Sequence, residues 1–196
     1  MFLDFITYFS SKFYKNCSLP LYKLWCIIVF FMQYIFFGHE NAFQSLISFD
    51  KFSVKLIMKL LGAKIGENCV IESGIRFHNC KNLRNLEIGD NCYIGKNCFF
   101  DLRGRIKIKN NVVISMKNTF ITHIDMAKSE LNKKYPATTK NISVGNNAYI
   151  GSDCCILKGV VIGRNSIVAA KSLVNKNLES YSLYAGIPVK KIKSIE

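Results

Sequence analysis

The chain has 196 residues, 49% of them hydrophobic, with three prolines and no glycine- or serine-rich tract, which excludes a disordered chain or one built around a long flexible linker. Lysine and arginine number 27 against 13 acidic residues, a formal net charge of +14 that favours anionic partners. No zinc-finger spacing, helix-turn-helix pattern or basic run with interleaved aromatics accompanies that charge, so nucleic acid is not the expected partner.

Residues 1–61 read as helical and non-repetitive. Trp25 to Phe37 is almost wholly apolar, and from Leu21 onward only Lys23 and Gln33 interrupt it as strongly polar residues. Such a run is shorter than the roughly 20 residues a spanning helix needs, and no small-residue cleavage site follows it. It is expected to pack across the end of the main domain, with peripheral contact of residues 21–37 with a membrane surface as the alternative. Both readings put the protein in the cytoplasm, the second at the inner face of the membrane. The last helix of this region has Asp50 as its N-cap, Val54, Ile57, Leu60 and Leu61 as its apolar set, and Gly62 as its stop.

From residue 62 to 180 the period becomes six. Val144, Ile150, Ile156, Ile162, Val168 and Val174 stand in one phase, with Gly145, Gly151 and Gly163 directly after three of them. Earlier runs repeat it: Ile65 and Ile71, then Ile88, Ile94, Phe100 and Ile106, then, shifted by two, Ile108, Ile114 and Phe120. Small residues recur four positions after the key aliphatic, among them Cys69, Cys92, Cys98, Ala148 and Cys154. Two inward positions per hexad make a short flat strand, and the Gly-Asx and Gly-basic pairs are expected to turn the corners. Three hexads then close a triangular coil, with interior aliphatics stacking every eighteen residues. The prediction is an all-β repeat, a left-handed parallel β-helix with a helical N-terminal region covering its end. In that register four of the eight cysteines are reduced packing residues in a cytosolic protein.

One long polar excursion, 121–141, breaks the repeat, and long breaks in regular coils tend to carry function. Of the three histidines, His39 and His78 read as surface or structural residues. His123 stands at the root of the excursion with Thr122 beside it and Asp125 two residues on, a general base with a carboxylate near enough to orient it. The histidines are too dispersed for a recognisable metal-ligand spacing, so no metal site is expected. A basic extension, 181–196, follows the repeat and carries Lys190, Lys191 and Lys193.

The segments DLRGRIKIKNNVVIS, THID, ISVGNNAYIGSDCCILKGVVIGRNSIVAAKSLVNKNL and SLYAGIPVKKIK resemble the hexapeptide-repeat acyltransferases. The likeness is to the branch of maltose, galactoside and capsular or lipopolysaccharide O-acetyltransferases, over residues 62–193. It implies acetyl-CoA as acyl donor and direct transfer to a sugar hydroxyl of a surface polysaccharide or its precursor. On this resemblance His123 is the base with Asp125 beside it, and Asp101 lies where relatives hold the sugar. Ser152 and Ala170 match positions along the pantetheine arm, Lys176 and Lys190 match the basic region that meets the nucleotide phosphates, and Tyr149 stands for an aromatic platform. The resemblance also implies a homotrimer with a site in each groove between copies. Two alternatives stay open: an N-acetyltransferase for a nucleotide-linked amino sugar, and a non-catalytic β-helix binding module.

Overall fold

Each coil of the repeat lays one strand of two or three residues on each of three parallel sheets, visited in the same order every time, so the sheets form three faces of a prism. The structure, a computed structural model, describes residues 19–78 and 80–195; the helical reading of residues 1–18 lies outside the described residues. The first face holds Lys64–Ile65, Leu86–Ile88, Ile106–Ile108, Ile142–Val144 and Val161–Ile162. The second begins with Val70–Ile71, Tyr93–Ile94, Val113–Ile114, Tyr149–Ile150 and Ile167–Val168. Arg76–His78, Phe99–Asp101, Thr119–Phe120, Cys155–Ile156 and Leu173–Val174 make the third.

Inside the prism the in-phase residues stack into continuous apolar columns. Ile71, Ile94, Ile114, Ile150 and Val168 line the second face, and Phe77, Phe100 and Phe120 stack on the third with ring centroids 6.1 and 5.0 Å apart. A coil buries its apolar edge only against its neighbours, which makes the columns the main source of cohesion. Cys69, Cys92, Cys98 and Cys154 occupy this interior, and burial pushes the Cys98 thiol up to about 11.

Two expectations about the coil are corrected. The eighteen-residue stacking period holds on all three faces in the last full coil, where Val144 pairs with Ile162, Ile150 with Val168 and Ile156 with Val174, but not before it; on the third face Phe77 pairs with Phe100, Phe100 with Phe120, and Phe120 with Ile156. Those steps of 23, 20 and 36 residues divert chain into loops at the corners; the first two shift the hexad frame, and each strand still points an apolar side chain inward. Nor do the glycines directly after the key aliphatics turn the corners; among glycines, Gly74 and Gly159 hold the left-handed corner position. At the other corners the left-handed conformation falls three residues after the key aliphatic, on Asn68, Asn91, Asn97, Asn111, Lys117, Asn147, Asp153, Asn165 and Lys171. Asparagine and aspartate tolerate that region because a short polar side chain can bond locally. Gly145 is required instead for close approach, since a Cβ there would lie 2.6 Å from the backbone nitrogen of Arg164 in the next coil.

Three helices cover the start of the prism: α1 (Leu19–Phe36), α2 (His39–Ser45) and α3 (Lys51–Leu60). Asp50 caps α3 by accepting from the backbone N–H groups of Phe52 and Ser53. Val54, Ile57 and Met58 form its buried face, whereas Leu60, assigned to the apolar set, is 55% exposed. Phe43 of α2 meets Phe77 at 5.5 Å between ring centroids, closing the apolar column at its open end. Helix α1 buries Tyr22, Cys26, Phe30 and Gln33 but leaves its opposite apolar side exposed, so it packs across the end of the domain by one face only. Residues 181–196, read as an extension, do not stand apart from the coil. Ser182–Ala185 adds a parallel strand to the second face and Lys190–Ser194 returns antiparallel to it.

Candidate active site

The corner that follows the third face gathers the chemistry. His78 and Asp101 are register partners at the ends of two successive strands, and His123 follows Phe120 at the end of the next. The excursion starting there is pinned at its neck: His123–Ile124 pairs antiparallel with Thr138–Thr139, and the Lys140 N–H donates to the Thr122 carbonyl at 2.9 Å. A short 3-10 turn, Glu130–Lys133, capped by Ser129, gives the loop its own structure.

His123 Nδ1 lies 2.6 Å from Asp101 Oδ2, with the carboxylate almost wholly enclosed and the imidazole edge partly open. Asp101 also accepts from the Thr122 N–H at 2.8 Å, from the Thr122 hydroxyl at 2.8 Å and from the Arg103 N–H at 3.3 Å. Burial by itself would raise its carboxyl, but the hydrogen bonds from His123, Thr122 and Arg103 outweigh burial and hold it below the usual carboxylate range. An ionised carboxylate can only accept, so the shared proton sits on Nδ1 and Nε2 is left as the acceptor of the ring. This is a base fixed in one tautomer and one orientation.

Asp125 does not take the place beside the imidazole that the sequence suggested. It accepts from the Ala127 N–H at 2.9 Å and from Arg103 Nη1 at 3.2 Å, contacts that hold its exposed carboxyl below the usual range. Asp125 and Arg103 tie the first turn of the loop to the Asp101 corner. Asp101 is likewise not open to a sugar: its oxygens are engaged by three residues of this chain and it is 1% exposed.

Sequence reasoning missed three participants. Arg103 bridges the two aspartates, and only its place in the DLRG turn hinted at that. His78 stacks on His123 at 6.1 Å with the planes 13° apart, and on Phe99 at 6.0 Å with 30°. The three rings form a track leading from the base to a cleft of about 440 Å³ between the third face and α2, lined by Glu40, Phe43, Gln44, Ile47, Arg76 and Phe99. No period links residues 78, 99 and 123, because the intervening coils differ in length.

The residues matched to cofactor binding are spread over the prism. Tyr149 points outward from the second face, 43% exposed, between Val113 and Ile167. Ser152 and Ala170 lie at the corner between the second and third faces, in adjacent coils joined by the Lys171 N–H donating to the Ser152 carbonyl at 2.9 Å. Lys176 is exposed just past Val174, at the same prism edge as His123 but further along, and Lys190 is exposed on the closing strand of the second face. Within one chain these residues do not converge on His123.

Known proteins place the chain clearly. Two family models match it: bacterial transferase hexapeptide (six repeats) over residues 141–176, and hexapeptide repeat of succinyl-transferase over residues 86–122. It is similar to the galactoside O-acetyltransferase of Escherichia coli K12, 32% identical over 139 residues, covering 71% of this chain and 67% of that relative. Among solved structures, a galactoside acetyltransferase in complex with coenzyme A is 29% identical with a TM-score of 0.65, covering 74% of this chain and 71% of that one. A maltose O-acetyltransferase from Clostridium difficile 630 shares the fold over 92% of this chain and 90% of its own, with a TM-score of 0.69 and 22% identity. Other curated relatives are spanned over 51–56% of their length.

Proposed function

Because the chain belongs to the hexapeptide-repeat acetyltransferases, we propose that it transfers the acetyl group of acetyl-CoA to a hydroxyl of a sugar, in a surface polysaccharide or its precursor, with His123 as general base. The observation that carries this reading is the 2.6 Å contact from Asp101 to His123 Nδ1, which leaves Nε2 directed to an incoming hydroxyl. Acetyl-CoA supplies an activated thioester. As the acceptor oxygen bonds to the thioester carbonyl carbon, Nε2 takes the hydroxyl proton, and it returns that proton to the sulfur as the carbon–sulfur bond breaks. The imidazolium formed in between faces the Asp101 carboxylate, which stabilises it. His123 is thus a proton carrier, and the transfer needs no acyl-enzyme.

A sugar acceptor is supported by the ring track. Pyranose rings present C–H faces to aromatic planes, and Phe99 and His78 offer such planes next to the base. Arg76, Glu40 and Gln44 supply polar groups in the cleft beyond, where the neighbouring unit of an oligosaccharide would sit. For the donor, the spread of Tyr149, Ser152, Ala170, Lys176 and Lys190 over the second face and both edges of the third supports a site completed between copies, and hence a homotrimer. A groove between two prisms sets one copy's His123 edge against another face of its neighbour, and exposed lysines there meet the nucleotide phosphates.

Thiol release from acetyl-CoA, measured against mono- and oligosaccharides and against nucleotide-linked amino sugars, tests the proposal. Turnover with a hydroxyl acceptor, lost on its deoxy analogue, is the expected result. Turnover with amino sugars alone would replace O-transfer by N-transfer, and absence of both turnover and acetyl-CoA binding would leave only a binding module.

A further inference from the structure

Helix α1 is apolar on both sides, and among the described residues only one side packs against the fold. Tyr22, Cys26, Phe30 and Gln33 face the cap, whereas Leu21, Leu24, Ile28, Met32 and Ile35 recur at steps of three and four along the opposite side and are 51–71% exposed. Phe36 extends this stripe at 67% exposure. An amphipathic helix that only covers a core presents polar residues to water, and a contiguous apolar stripe on that side marks a surface with a partner. No helix among the described residues is long and apolar enough to cross a membrane.

The flank of the stripe selects the partner. Lys23 is the one charged residue in α1, and its Nζ stands 5.0 Å from the ring centroid of Phe52 at the start of α3. Lys51 reaches the same ring at 5.7 Å, and Phe52, Leu56 and Leu60 add an exposed apolar row on α3 with Lys59 beside it. Among residues 19–61 the acidic groups are Glu40 and Asp50, and Asp50 is occupied in capping α3. We infer that α1 and the start of α3 form a monotopic docking surface for an anionic lipid bilayer, the stripe entering the acyl boundary and Lys23, Lys51 and Lys59 meeting the headgroups. A second copy of this chain would bring the same lysines into opposition with no carboxylates to pair them, whereas anionic headgroups neutralise them. At 1.5 Å per residue the 18-residue helix presents about 27 Å of stripe, enough to lie along a surface. The inference stands independently of the acetyl-transfer reading.

The test uses the full chain with vesicles of phosphatidylcholine alone and of equimolar phosphatidylcholine and phosphatidylglycerol, read by flotation and by Trp25, the sequence's single tryptophan. The expected result is partitioning about tenfold or more stronger to the anionic vesicles, with a blue shift of Trp25 emission and weakening by salt. The combined variant Ile28→Ser, Met32→Ser, Ile35→Ser should lose both signals while keeping the circular dichroism and sedimentation of the parent. Failure of the parent to float with anionic vesicles, or unchanged flotation of the variant, overturns the inference. A variant that instead lowers the sedimenting mass assigns the stripe to self-association and also overturns it.

Discussion

Asp101 Oδ2 and His123 Nδ1, separated by 22 residues of sequence, meet at 2.6 Å because the coil joining them is 20 residues long and sets the third-face corner of one coil beside that of the next. The base and its orienting carboxylate therefore come from different coils, which is the relation the following experiments probe.

Replacing His123 by Ala removes the proton acceptor but leaves every residue matched to cofactor binding in place. Transfer is expected to fall about a hundredfold or more, with acetyl-CoA affinity by calorimetry nearly unchanged. Equal turnover of variant and parent would take His123 out of the mechanism.

The two aspartates separate cleanly. Asp101→Asn can hold the imidazole in the wrong tautomer by donating to Nδ1, so turnover should drop by about one to three orders of magnitude with little change in KM for acetyl-CoA. Asp125→Ala only releases the Arg103 contact and the turn at Ala127, and should keep turnover within about a fewfold of the parent. The reverse ranking would restore Asp125 as the orienting group.

Acid stability follows from the same carboxylate. The folded state holds Asp101 below its unfolded value of about 3.9, so the unfolded chain binds the proton more readily. The stabilisation is present above that value and is lost as pH falls through the lower folded one. Melting temperatures of the parent and Asp101→Asn should differ most at neutral pH and converge below about pH 4. A gap that stays constant to pH 2 would mean that the ionised carboxylate contributes no folding stability.

At one corner of the repeat, Gly145 and Asn147 test which residue makes the turn. Gly145→Ala forces a Cβ to 2.6 Å from Arg164 N and should cost about 1–3 kcal/mol by urea unfolding. Asn147→Gly, at φ 58°, should change stability by less than about 1 kcal/mol, because glycine accepts that conformation. Equal costs would contradict the division of labour between close approach and turn.

Neutralising Lys176 and Lys190 together as Gln should weaken acetyl-CoA binding about tenfold at low salt and less at high salt, with kcat at saturating donor preserved. Calorimetry at two ionic strengths checks it. An unaltered affinity would return both lysines to the solvated surface.

By itself the sequence determined the six-residue phase, and with it the inward columns of Ile150, Ile156 and Phe120, the buried Cys98 and Cys154, the Asp50 cap and the place of His123 at the root of the one long excursion. Each of these depends on near neighbours and on a period that a strand of two inward positions imposes locally. Tertiary structure alone decided that Asp101 rather than Asp125 faces His123, that His78 and Phe99 join it, and that the described residues leave one apolar side of α1 uncovered. Those relations run between coils, and the register between coils depends on how many residues each corner diverts into loops. The steps of 23, 20 and 36 residues keep an apolar side chain inward in every strand even where they shift the hexad frame, so the repeat is legible while the pairing across it is not.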